Sequence, residues 1–204
     1  PVVSAGENQS VVTNALVTLD GSNSTTPTGA LTYRWEQTSG PSVTLSSATV
    51  VKPTFTPTAA GTYVFKLTVS SPTGTATGTV TITATAPQNP VANAGPDQSV
   101  YTGDQVTLDA SGSTNPNPGT TLTYAWTQIS GAAVTLSNAT IAKPTFIAPI
   151  TEGTYVFQLT VASAGLSSTD TMTVTATKEG ISFTDVDANN QIYTETMWLA
   201  EQGV

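Results

Sequence analysis

The chain contains two copies of one pattern, and a pattern repeated at domain length marks a folding unit used twice. Ala5-Gly6 returns as Ala94-Gly95, and Val17-Thr18-Leu19-Asp20 returns as Val106-Thr107-Leu108-Asp109, each 89 positions later. Leu31-Thr32-Tyr33 and Trp35 return as Leu122-Thr123-Tyr124 and Trp126 at a spacing of 91, so the second copy has gained two residues between Asn115 and Thr121. Val43-Thr44-Leu45 matches Val134-Thr135-Leu136, and Lys52-Pro53-Thr54-Phe55 matches Lys143-Pro144-Thr145-Phe146. Gly61-Thr62-Tyr63-Val64-Phe65 matches Gly153-Thr154-Tyr155-Val156-Phe157. The insertions fall in stretches rich in Gly, Pro, Ser, Thr and Asn, where loops tolerate them.

Each repeated block reads as a strand. Leu31, Tyr33 and Trp35 alternate with Thr32, Arg34 and Glu36; Tyr63, Phe65, Leu67 and Val69 alternate with Val64, Lys66 and Thr68. Val80, Ile82 and Ala84 alternate with four threonines over Thr79–Thr85. A period of two is the signature of a strand with one buried face. Turn residues between the blocks then predict an all-β fold of two tandem sandwiches, each of about seven strands. The expected units are 1–86 and 91–178, joined by the Pro-rich linker 87–90, with a separate segment at 179–204. Two prolines in Pro87-Gln88-Asn89-Pro90 make a short, stiff connector, and a semi-rigid rod is expected.

The blocks also resemble a known family. Ala94-Gly95-Pro96-Asp97-Gln98, Val106 to Ser113, Leu122 to Trp126 and Gly153 to Val161 look like a PKD domain. Ser130-Gly131 and Val134-Thr135-Leu136 resemble the PKD variants shared with REJ modules, and the first repeat carries the same blocks. The resemblance implies an immunoglobulin-like sandwich on cell surfaces or in secreted enzymes, acting as a spacer or adhesive unit. Trp35 and Trp126 then stand at the buried strand-C tryptophan, and Tyr63 and Tyr155 suit a tyrosine corner. Phe65 and Phe157 fall where antibody domains keep a cysteine, so a ring is expected in place of a disulfide.

After Thr177 the pattern changes. From about 188 to 202 it is helical: Ile192 and Leu199 are seven apart, and Tyr193, Met197 and Ala200 follow at four and three. Gly203 sits where a helix C-terminal glycine would, and Asp185 and Asp187 precede the expected helix. Phe183-Thr184-Asp185-Val186 and Leu199-Ala200-Glu201-Gln202-Gly203-Val204 resemble the opening of an S-layer homology (SLH) domain, about its first half. Gln191-Ile192 departs from that pattern, and the family's wall-polymer motif would lie beyond Val204. The resemblance implies a cell-wall polymer as partner of the parent protein.

Composition narrows the chemistry. The chain has neither histidine nor cysteine, which removes the commonest general base, thiolate metal sites, cysteine nucleophiles and disulfides. Charged residues are 9% of the chain against a usual value near 25%, so its surface is wetted mainly by hydroxyls. The net charge is −8, and the five basic residues (Arg34, Lys52, Lys66, Lys143, Lys178) form no stripe that could neutralise phosphates. Neither nucleic-acid binding nor membrane insertion is therefore expected. No apolar run is long enough to span a bilayer, and Pro1 opens without the charged start and apolar stretch of a signal peptide.

Several kinds of site can be considered. Trp35, Trp126 and Trp198 could stack on carbohydrate, but each lies on an apolar face, so core packing is expected. Some PKD domains hold calcium in the loop after the second strand. Here those loops, from Asp20 to Gly29 and from Asp109 to Gly119, keep one carboxylate each, where calcium wants six to eight oxygens. Asp20 and Asp109 are expected to close turns instead, with no metal and no cofactor. A serine nucleophile lacks its base, and paired carboxylates for glycoside cleavage find no support. Asn8-Gln9-Ser10, Asn23-Ser24-Thr25 and Asn138-Ala139-Thr140 fit the glycosylation triplet, a match that chance supplies readily in a Ser/Thr-rich chain.

The expected function is non-enzymatic: a structural or adhesive module of an extracellular cell-surface protein, S-layer-associated or wall-anchored. Two alternatives are an accessory or spacer module of a secreted polysaccharide-degrading enzyme, and a subunit of an extracellular filament that self-associates into fibres.

Overall fold

In a computed structural model, residues 1–179 are described. The reading of 179–204 as an SLH-like segment with a helix over about 188–202, Trp198 included, thus falls almost wholly outside the described residues. The described residues are all β. The first repeat contributes β1 (Gln9–Val12), β2 (Val17–Thr18), β3 (Thr32–Ser39), β4 (Thr54–Phe55), β5 (Gly61–Ser71) and β6 (Gly74–Thr85). The second contributes β7 (Gln98–Tyr101), β8 (Gln105–Thr107), β9 (Thr123–Ser130), β10 (Thr145–Ile147), β11 (Gly153–Ser163) and β12 (Leu166–Thr177).

Each repeat builds the same sandwich. A four-stranded sheet in the order β1-β6-β5-β3 faces the pair β2-β4; the order β7-β12-β11-β9 faces β10-β8. The hairpins β5–β6 and β11–β12 are antiparallel over their whole length, whereas β1 runs parallel to β6 and β7 parallel to β12. Period two decides what is buried. Tyr63, Phe65, Leu67 and Val69 of β5 meet Val80, Ile82 and Ala84 of β6 inside, and the intervening threonines stay half-buried or exposed outside. The second core repeats this with Tyr155, Phe157, Leu159, Val161, Met172, Val174 and Ala176. The two cores share no residue.

Trp35 and Trp126 lie in these cores, 2% and 4% exposed, and each indole N–H donates to a carbonyl, that of Val50 or of Ile141, at 3.2 Å. The Tyr63 hydroxyl donates to the Ala59 carbonyl at 2.6 Å, and Tyr155 to Thr151 at 3.3 Å, each four residues upstream, as a tyrosine corner does. Phe65 packs on Phe55 and Phe157 on Phe146, with ring centres 4.8 and 5.1 Å apart, so aromatic pairs bridge the two sheets without a disulfide.

The strand count differs from the expected seven: each repeat forms six. The blocks Val43-Thr44-Leu45 and Val134-Thr135-Leu136 read as strands but carry no ladder. A side chain takes the place of the missing neighbour. The Gln37 amide donates to the carbonyls of Ser39 and Pro41, at 3.1 and 2.7 Å, and its Oε1 accepts the Val43 N–H at 3.1 Å. Gln128 repeats the pattern with Ser130, Ala132 and Val134. With those backbone groups satisfied, the segment drapes over the core edge and needs no partner strand.

Candidate functional site

The chemistry that the sequence singles out is the loop after β2 and its counterpart after β8. β2 ends at Thr18, and Asp20 closes the following turn: its Oδ1 accepts the Ser22 N–H at 2.9 Å and the Ser22 hydroxyl at 2.6 Å. Its Oδ2 meets Lys52 Nζ at 2.6 Å. In the second repeat Asp109 accepts the Ser111 N–H at 2.8 Å and meets Lys143 Nζ at 2.7 Å. The lysine ammonium first, then the serine hydroxyl and N–H, hold each aspartate well below the ordinary carboxylate range, at about 2. The turn-closing role expected of Asp20 and Asp109 is what the geometry displays. The lysine partners, Lys52 and Lys143, are an addition to what the sequence reading assigned to these turns. Their signal was present: Asp20 and Lys52 belong to blocks that both recur.

Beside Asp20 lies an open depression lined by Glu7, Gln9, Asn23 and Lys52, about 390 Å³ in volume. Glu7 is the only other carboxylate there. Among the described residues no group of three or more His, Cys, Asp or Glu side chains comes together as a metal site would need. The lysine ammonium already occupies the place that a cation would take at Asp20.

Most of the other acidic side chains among the described residues are similarly engaged. Asp97 accepts the Thr173 N–H and Asp170 the Ala94 N–H, both at 2.8 Å. Asp104 accepts the Tyr101 N–H at 2.9 Å, and Glu152 accepts that of Lys178 at 2.8 Å. Glu36 pairs with Lys66 at 2.9 Å on the outer face of β3 and β5, and that hydrogen bond lowers its pKa. Among the described residues only Glu7 and Glu179 hold neither a backbone N–H nor a lysine. No buried side-chain N or O atom among them lacks a hydrogen-bond partner.

The glycosylation triplets all lie at the surface, each with its own hydrogen bonds. Asn8 accepts the Thr81 N–H at 2.8 Å, and Ser24, of the second triplet, is buried and bonded to the Ser4 N–H. In all three triplets the asparagine and the serine or threonine two positions on are exposed, and Asn138 accepts the Thr140 N–H at 2.9 Å.

The family model for the K319L-like PKD domain matches this chain twice, over residues 5–84 and 94–176. The chain belongs to that family. Each PKD repeat is covered from the Ala-Gly pair before its first strand to the penultimate residue of its last. The chain is 33% identical over 186 residues to the Dyslexia-associated protein KIAA0319 of Homo sapiens, covering 85% of this chain and 17% of that protein. It is 36% identical over 166 residues to the KIAA0319-like protein of Mus musculus, covering 77% of this chain and 16% of that one. Among solved structures, the PKD domain from KIAA 1837 protein is 33% identical, covers 45% of this chain and 90% of its own, and superposes with a TM-score of 0.39. The two KIAA0319 relatives are thus several times longer than this PKD tandem. No helix among the described residues is long and apolar enough to cross a membrane.

Proposed function

We propose that the chain is a non-enzymatic structural or adhesive module of an extracellular cell-surface protein, in which the two PKD repeats act as a spacer. One observation carries this reading: nearly every carboxylate among the described residues is engaged in holding the chain's own backbone or its own lysines. A catalytic acid or base must be free to exchange a proton with a substrate. These groups are bound into turns and strand edges, and with neither histidine nor cysteine in the chain no other strong proton carrier stands in for them.

Attachment to a wall polymer, and with it S-layer association, is the finer element of the proposal. It rests on the Phe183-Thr184-Asp185-Val186 and Leu199 to Val204 patterns alone. Incubating the full parent protein and a version ending at Thr177 with purified cell walls tests it: co-sedimentation of the first and not the second is the expected result.

For the main reading, the purified chain is assayed against chitin and cellulose and followed by sedimentation over a range of concentrations. A spacer shows no turnover, no retention on either glycan and a constant mass. Retention on the glycan would favour the accessory module of a polysaccharide-degrading enzyme. Mass growing with concentration would favour the filament subunit. Turnover abolished by a single substitution would overturn the non-enzymatic reading itself.

A further inference from the structure

The two residues gained by the second repeat fall in the loop 115–121, between the bridge Val91↔Thr114 and β9. In the first repeat the matching loop follows the bridge Val2↔Thr25, and its one side-chain bond runs from the Thr26 hydroxyl to the Thr28 carbonyl, exposed. In the second repeat the loop is a closed polar network. Asn115 Nδ2 donates to the Thr120 carbonyl at 2.9 Å, and its Oδ1 accepts the Asn117 N–H at 3.0 Å. The Thr120 hydroxyl donates to the Asn117 carbonyl at 2.8 Å and lies 2.7 Å from the hydroxyl of Ser163, in the turn end of the β11–β12 hairpin.

That network aims one side chain out of the second sandwich. The Asn117 Oδ1 accepts the Gln88 N–H at 2.7 Å, and its Nδ2 donates to the Gln88 carbonyl at 2.7 Å. Gln88 is a connector residue flanked by Pro87, and the side chain thus exchanges with it both bonds that a neighbouring strand residue would exchange. Asn117 is only 2% exposed although it sits in a loop, and buried amides persist where all their groups are satisfied. The tip of the loop reaches further: a Cβ placed on Gly119 would stand 3.5 Å from the Ser10 carbonyl of β1.

We infer that the two-residue insertion is a splint for the joint: Asn117 grips the connector at Gln88, and so holds the first sandwich at one orientation to the second. The inference goes beyond the spacer reading, because it assigns the rigidity of the joint to a side chain of the second domain and not to the connector's prolines, which both variants below retain.

The test is residual dipolar couplings on the whole chain, unaltered, as Asn117→Ala and as Gln88→Pro. The second variant removes the N–H that Asn117 accepts and leaves the second sandwich's own residues untouched, so it decides the matter if Asn117→Ala fails to fold. In the unaltered chain one alignment tensor is expected to fit both sandwiches. Loss of the shared tensor in either variant, with each sandwich still fitting its own structure, supports the splint. Separate tensors in the unaltered chain, or a shared tensor surviving in every folded variant, overturns it.

Discussion

At Asp20 and Asp109 a carboxylate is shared between a turn and a lysine from a distant block, and this ties stability to acid in a defined window. Each group sits at about 2 in the folded chain, below its ordinary 3.8, so its contribution is complete above about 4 and is lost as pH falls towards 2. Both pairs are partly exposed, with the aspartates at 40% and 43%, so the contribution of each is under about 1 kcal/mol. Urea unfolding of Asp20→Asn and Asp109→Asn is expected to show a small loss at pH 7 that vanishes near pH 2. A loss as large at pH 2 as at pH 7 would mean that the carboxylate charge is irrelevant. Trp35 is a larger matter. It is 2% exposed and fills the first core, so Trp35→Ala is expected to cost ~3–5 kcal/mol in denaturant titrations, and less than about 1 kcal/mol would contradict that burial.

At the scale of strands and turns, the tightest glycine approach repeats in both copies. Gly40 has φ +98°, and a Cβ there would lie 2.2 Å from the Thr62 carbonyl; at Gly131 the figures are +96° and 2.5 Å from Thr154. Gly40→Ala is therefore expected to destabilise the first sandwich by more than about 2 kcal/mol, read as a shift in its urea midpoint. The glycine follows a register shift between Gln37 and Ser39, where β3 leaves β5. Long strands such as β5 and β11 are legible in the sequence because one alternating face has to be apolar, and with the PKD resemblance so are the core rings of Phe65 and Phe157 and the tyrosine corners; their partners Phe55 and Phe146 come from the structure. The segments around Val43 and Val134 looked the same by composition. What separates them is a glutamine side chain that satisfies their backbone, and alternation carries no record of side-chain-to-backbone bonds. Gln37 and Gln128 do recur at the same spacing as their neighbours, which was the clue on offer. The Asn117 grip left only an insertion between the repeats as its trace, since its partner lies 29 residues away.

For the whole molecule, the separation of the cores governs how damage spreads. The clusters around Trp35 and Trp126 have no member in common, so a lesion in one is expected to leave the other intact. In Trp35→Ala, melting followed by amide signals should resolve two transitions, with the signals of β11 and β12 disappearing at the unaltered temperature. A single lowered transition for every amide would show that the sandwiches unfold as one body. The parallel pairing of first and last strands has a mechanical corollary. The chain passes from the bridged residue Val2 or Val91 into β1 or β7 and leaves at the end of β6 or β12, and the two strands of each pair point the same way over four residue pairs. A pull applied to the two ends of a repeat therefore drags these strands past one another lengthwise, and the bonds between them must yield together in shear. Strands arranged as a hairpin and pulled from their open ends would instead unzip, each bond breaking in turn. In a single-molecule stretching experiment, each repeat is expected to give way in one abrupt event, and proline substitutions in β1 that remove its N–H donors should lower the force of the first repeat alone.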